Sequence, residues 1–217
     1  MNIQNKSHAV MAQRYESNSS LDNFPTPPWA TRALVEQYLD KQTLSTQTCL
    51  EPACGAGHMA KVLKEYFDSV DSSDIYNYGY GEVRDFTKAA PDTPNYDWVI
   101  TNPPFRLAES FINQALKIAS SGVAILARTV FIESIGRYDR LFSKTPPTQI
   151  AQFCERVPMV KGRLDAKATT ATGYAWLIWD INQRNKPSGT SLCWIKACRK
   201  TLEYEGDYAE IIGSETR

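Results

Sequence analysis

A chain of 217 residues with 42% hydrophobic and 22% charged residues has the make-up of a globular domain with a substantial core, which excludes the repeat, fibrous and disordered classes. Lys plus Arg equal Asp plus Glu at 24 each, so the chain as a whole is no polycation. Arg128 to Lys167 nevertheless holds eight basic residues against four acidic ones, a local excess that suits a polyanion-binding face as well as an ordinary solvated one.

No run approaches 18 apolar residues and no apolar signal core stands near the start, so a cytoplasmic protein without a membrane span is expected. Five cysteines without a C-x-x-C pair fit reduced thiols, and with two histidines they predict no zinc site. Residues 1–22 read as a disordered or loosely packed arm, 23–200 as one domain, and 201–217 as an acidic C-terminal tail. In Phe24-Pro25-Thr26-Pro27-Pro28-Trp29, Thr26 is placed to cap a helix that runs to about Asp40. Thr48 to Glu51 then reads as a short buried strand, followed by the glycine loop Pro52 to Gly57 and a helix carrying Met59, Val62, Leu63 and Phe67. A second strand spans roughly Ser69 to Asp74, and a Gly/Tyr-rich loop leads to Val83-Arg84-Asp85-Phe86. Tyr96 to Thr101 reads as a buried strand that empties into Asn102-Pro103-Pro104-Phe105. An amphipathic helix over Leu107 to Ala119, an apolar strand at Gly122–Ala127 and an irregular or helical insertion to Pro146-Pro147 come next. Late strands are expected at Ile150–Val157, Gly173–Trp179 and Leu192–Ala197, separated in part by the polar loop Lys161 to Thr170. This alternation predicts an α/β fold: a mostly parallel open sheet with antiparallel late strands and helices on both faces.

Ligands of such a sheet bind beyond the carboxyl ends of its strands, and every distinctive segment of this chain falls there. The Glu51 to Gly57 loop lacks the third glycine of a dinucleotide fingerprint and the Gly-Lys-Ser/Thr of a phosphate loop, so it suits a ligand that needs close backbone approach but brings no pyrophosphate. Asp74 is placed to accept from ribose hydroxyls, Asp85 to accept from an adenine amino group, and Phe86 to cover its ring. The Pro-Pro turn removes two N–H donors beside the Asn102 amide oxygen and the neighbouring carbonyls, leaving acceptors for one exocyclic amine. Phe105 adds a face on which a base would stack, a contact of about 1–3 kcal/mol.

In order and spacing, Phe24 to Trp29, Leu50 to Gly57, Ser73-Asp74-Ile75, Arg84-Asp85-Phe86 and Asn102 to Phe105 resemble the motifs of class I S-adenosylmethionine-dependent methyltransferases of the amino-methylating branch. The nearest look-alikes are small phage and prophage DNA adenine-N6 methyltransferases, and the resemblance covers roughly residues 22 to 197. It implies a Rossmann-like fold and S-adenosylmethionine as cofactor. Thr26 would help enclose its methionine end. Glu51, Ala53, Gly55 and Gly57 would line it, with Asn102 close by. Asp74, with Ile75 beside it, would hold the ribose, and Asp85 with Phe86 the adenine. Asn102, Pro103, Pro104 and Phe105 would bind a target adenine flipped out of DNA. No room remains after Trp179 for a large recognition domain, so Lys161, Arg163 and Lys167 are expected to grip DNA through phosphates, with short or relaxed specificity. Methylation of adenine in RNA or of a protein glutamine, and a non-catalytic nucleic-acid-binding module, are the alternatives.

Overall fold

A computed structural model describes residues 22–88, 95–183 and 189–209. The chain enters helix α1 (Pro28–Tyr38) and the short helix α2 (Lys41–Leu44), then strand β1 (Thr48–Glu51), helix α3 (His58–Leu63) and strands β2 (Ser69–Asp74) and β3 (Glu82–Val83). Strand β4 (Tyr96–Thr101), helix α4 (Ala108–Ile118) and strand β5 (Ala119–Arg128) follow. After a one-turn helix α5 (Ile135–Arg137) and a π-helical turn at Tyr138–Phe142 come β6 (Gln149–Phe153), β7 (Tyr174–Asp180), β8 (Ser191–Ile195) and α6 (Arg199–Leu202).

All eight strands form one sheet in the order β3-β2-β1-β4-β5-β7-β6-β8. The pairs from β3 to β5 are parallel, β7 is antiparallel to both β5 and β6, and β8 is parallel to β6. Of the late strands, therefore, only β7 runs counter to the sheet. Side chains alternate between two cores, as the two-residue period of a strand requires. Cys49, Ile100, Ala124, Leu126 and Trp176 face α1 and α3, whereas Leu50, Val99, Val123, Ile125 and Leu177 face α4 and Phe131. The Trp176 indole N–H donates to the Ala30 carbonyl at 3.1 Å, which pins α1 to the sheet.

Two local expectations give way to packing. Pro27, not Thr26, stands at the N-cap of α1, with Pro28 in the first helical position and no side-chain cap; Thr26 is 4% exposed and its hydroxyl serves another partner. The acidic segment from Thr201 is no free tail as far as Ala209, because the Asp207 carboxylate is bound by Arg32 of α1 at 2.8 Å. Residues 1–21 of the expected arm and 210–217 of the expected tail lie outside the described residues.

The strand order reverses between β1 and β4, so their parallel carboxyl ends, Glu51 and Thr101, straddle the point where an open α/β sheet parts to admit a ligand.

Candidate active site

Two adjoining clefts open at this point, and Asp22, Phe24 and Asn102 line both. The first is walled by Thr26, Glu51, Ala53, Gly55, Asp74, Ile75 and Pro104 among others. Pro103, Phe105, Arg128, Met159 and Tyr174 belong to the second. Asn102 is thus the partition.

Its orientation follows from its partners. The Asn102 Nδ2 group donates to the Phe24 carbonyl at 3.0 Å and to Thr26 Oγ1 at 3.1 Å. A carbonyl only accepts, so the nitrogen of the amide must face Phe24 and the oxygen is turned the other way. No described residue donates to that oxygen. The Pro104 carbonyl is taken by the Leu107 N–H at 2.9 Å, while Phe105 donates its N–H to Asp22 Oδ2 at 2.6 Å. The guanidinium of Arg128 lies 4.9 Å from the Phe105 ring centroid and that of Arg137 lies 5.6 Å from it, so the second cleft sets the Arg128 cation over an aromatic face, with the Asp22 carboxylate also in its lining.

In the first cleft the buried acid is Glu51, 2% exposed, with Oε2 lacking any hydrogen-bond partner. Burial pushes its carboxyl well above the usual carboxylate range; a bond from the Ala60 N–H opposes this and the neighbouring Asp74 adds to it. An unpaired buried acid is costly unless a cation or donor meets it. Asp74 accepts from the N–H groups of Gly55 (2.9 Å) and Tyr76 (3.1 Å), which fixes its carboxylate across the loop and leaves each oxygen further accepting capacity. Gly55, at φ +51°, carries the left-handed conformation of that loop. Burial and the nearby Lys61 push His58 down to about 4, and burial with Glu51 and Asp74 pushes the Cys54 thiol up to about 12. At neutral pH, therefore, the cleft offers a neutral imidazole and a protonated thiol, and its charge comes from carboxylates.

Not every expected residue reaches a cleft wall. A side chain at Gly57 would collide with the Tyr80 ring at 2.5 Å, so the missing Cβ there accommodates an aromatic ring of the same chain. Asp85 is folded onto its own turn, accepting from the Thr87 N–H (3.0 Å) and hydroxyl (2.6 Å). Phe86 is buried in the α4 core, 5.1 Å from Phe111 centroid to centroid, and neither residue lines the two clefts. An apolar ring gains more from that core than from a solvent-facing rim. Lys161, Arg163 and Lys167 are exposed on a loop held beside the site by the bond from the Gly162 N–H to the Asn23 carbonyl, 2.9 Å. Arg163 also pairs with Asp165 at 3.1 Å.

Three residues of the site carried no sequence signal of their own: Asp22, Met159, and Arg128, which stood only as one count in a basic stretch.

No family model matches the chain, and no curated protein does. Solved structures do. The fold is similar to that of a proposed class I S-adenosylmethionine-dependent methyltransferase from Listeria monocytogenes, with a TM-score of 0.55 and 14% identity over 80% of this chain and 67% of that one. It also resembles a modification subunit of a proposed type I restriction enzyme from Vibrio vulnificus (TM-score 0.56, 15% identity, 86% of this chain, 50% of that one). A proposed RNA methyltransferase from Pyrococcus horikoshii matches at a TM-score of 0.57 and 14% identity, over 74% of this chain and 87% of that one. At these identities the likeness is one of fold: the sheet is that of the Rossmann-like class I methyltransferases. The chain spans half the length of the restriction subunit.

Proposed function

We propose that this chain transfers a methyl group from S-adenosylmethionine to the exocyclic N6 amine of adenine in DNA. The observation that carries the reading is the Asn102 amide, held by Phe24 and Thr26 with its oxygen turned away from both, at the junction of two clefts. The names of the fold neighbours include both a restriction modification subunit and an RNA methyltransferase, so the nucleic acid is chosen here on the chain's own motif order and not on the fold.

The residues of the first cleft fit the cofactor. Glu51 Oε2, buried without a partner, suits the ammonium of its methionine end, and Asp74 suits ribose hydroxyls. When bound, the cofactor supplies an electrophilic methyl on a sulfonium centre. On the other side, Asn102 and the adjoining carbonyls accept the two hydrogens of the target amine. Its ring-delocalised lone pair is thereby turned out of the base plane and toward the first cleft, a matter of orientation and local electrostatics. No strong general base is required, because the nitrogen becomes acidic only as it is methylated. Phe105 offers the flipped base a stacking face, which offsets part of the few kcal/mol that unstacking costs.

The reading is tested by digesting DNA from cells that express the protein and measuring N6-methyladenine by mass spectrometry. No increase over cells expressing Asn102→Ala, together with label appearing in RNA or protein instead, refutes the DNA assignment.

Glu51 ties the cofactor to pH. Its raised pKa means that the protonated form is favoured in the fold, so this stabilising contribution is complete below the unfolded value of about 4.5 and fades as pH rises through the folded one. An ammonium placed against it favours the carboxylate. Cofactor affinity should accordingly rise from acidic to neutral pH, with a proton released on binding. Glu51→Gln should melt higher than the parent at neutral pH, yet bind the cofactor more weakly and with that pH dependence gone. Calorimetry in buffers of different ionisation enthalpy reads the proton, and an affinity equal in parent and variant at both acidic and neutral pH would show the ammonium to be held elsewhere.

Lys161, Arg163 and Lys167 lie on the loop tied to Asn23 at the rim of the first cleft and are assigned to phosphates, contacts that position DNA without reading it. Replacing all three with alanine should weaken DNA binding and flatten its salt dependence by up to about three phosphate equivalents, with cofactor affinity unchanged. A salt slope equal to that of the parent would make this loop a solvated bystander. Because each well-placed base contact supplies only about 1–3 kcal/mol of discrimination, specificity should be short or relaxed.

A further inference from the structure

The second cleft contains a cation that the proposed reaction leaves without a task. Arg128, at the carboxyl end of β5, sets its guanidinium over the faces of two rings of that cleft, 4.9 Å from the centroid of Phe105 and 5.8 Å from that of Phe24. Among the described residues it has no carboxylate partner, although Arg32, Arg84, Arg140, Arg163 and Arg199 are all paired. A guanidinium is planar, weakly hydrated for a cation, and stacks on π faces, which an ammonium does not.

We propose that Arg128 is the second face of the base-binding slot: the target base is clasped between the Phe105 ring on one side and the Arg128 guanidinium on the other. This rests on the reading of the second cleft as the target pocket. Bases stack on aromatic rings or on arginine planes in other nucleic-acid-binding proteins, and here the Arg128 guanidinium already lies over the Phe105 ring. A base held between them needs roughly 7 Å, twice the ~3.4 Å spacing of stacked bases. The 4.9 Å now present means that the guanidinium must retreat by about 2 Å when the base enters, a movement within reach of the flexible arginine stem. The stacking contact is then exchanged, ring for base, and the positive charge comes to lie over an electron-rich adenine. Had Arg128 been a phosphate ligand, its plane would be dispensable and only its charge would matter, and that difference separates the two roles.

The test compares the full chain with Arg128→Ala and Arg128→Lys, measuring transfer of labelled methyl groups to unmethylated DNA at several salt concentrations and, separately, cofactor affinity by calorimetry. Both variants should raise KM for DNA by roughly 10- to 100-fold, the range of a lost base stack, with cofactor affinity unchanged. Lysine should rescue little, and the salt slope of the lysine variant should match the parent. An alanine variant with the parent's KM, or a lysine variant that restores it, overturns the clasp while leaving the proposed reaction standing. Should alanine prevent folding, the lysine variant decides alone. A parent chain that methylates no nucleic acid overturns the reaction and the clasp together.

Discussion

Asn102→Ala is expected to lower methyl transfer at least about 100-fold, the scale set by deleting one preorganised polar group at a reacting centre, while leaving cofactor affinity within about twofold of the parent, a small fraction of the tenfold that 1.4 kcal/mol represents. The reason lies in how the amide is divided. Its nitrogen is committed to Phe24 and Thr26, and its oxygen is the part assigned to the target amine. Removing the side chain deletes the acceptor and frees the two groups that aimed it. Asn102→Asp would keep an acceptor but present a second acceptor to the Phe24 carbonyl, a repulsive contact, so it should fall between alanine and the parent. Labelled methyl incorporation into DNA at saturating cofactor, with calorimetry alongside, makes the measurement. An alanine variant that turns over like the parent would remove Asn102 from the reaction.

Arg32→Met should cost about 3–5 kcal/mol of stability, because it strands the buried Asp207 carboxylate, whereas Glu65, its side chain 37% exposed, can turn to water. Arg32 is 4% exposed. Its guanidinium donates to both oxygens of Glu65 (2.8 and 2.6 Å), both oxygens of Asp207 (2.8 and 3.0 Å) and the Leu202 carbonyl (2.9 Å), with the Tyr204 ring 3.9 Å away. Burial works against its charge, but the bonds to Glu65 and Asp207 outweigh that and hold its pKa above the usual arginine value. The Asp207 side chain is 7% exposed, so without Arg32 it must either stay charged and unpaired or take up a proton. The consequence for function is indirect. α1 follows directly on Phe24 and Thr26, the two residues that orient Asn102, so loosening α1 should blunt transfer before the protein unfolds. Urea denaturation followed by intrinsic tryptophan fluorescence reads the stability, and a loss under about 1 kcal/mol, the value of an exposed pair, would show the cluster to be ornamental to the fold.

Strand positions were legible from local pattern. Thr48–Glu51, Ser69–Asp74 and Tyr96–Thr101 follow from short apolar or β-favouring runs closed by glycine, proline or asparagine, features that act within a few residues. The same locality placed Glu51, Asp74 and Asn102 at strand ends, and in a parallel sheet such ends meet on one side. Side-chain destinations were another matter. Asp85 and Phe86 look alike in sequence whether the pair lines a cleft or closes a core; the hydrophobic gain against Phe111 decided for the core. Gly57 reads as a ligand-approach glycine until Tyr80 is seen filling its missing Cβ.

By itself, then, the order of residues determined the alternation of strands and helices, the turn after β4 and the acids at the strand ends, since each depends on neighbours in the chain. Only the tertiary structure decided which way the Asn102 amide turns, that Arg128 covers Phe105, and that the segment after Thr201 is tied to α1. Those outcomes rest on contacts between residues 78 positions apart in the case of Asn102 and Phe24, and 175 apart for Arg32 and Asp207. A separation of that size leaves no period in the sequence, because the partners are brought together by packing of the sheet and its helices, and only the closed fold fixes their distance.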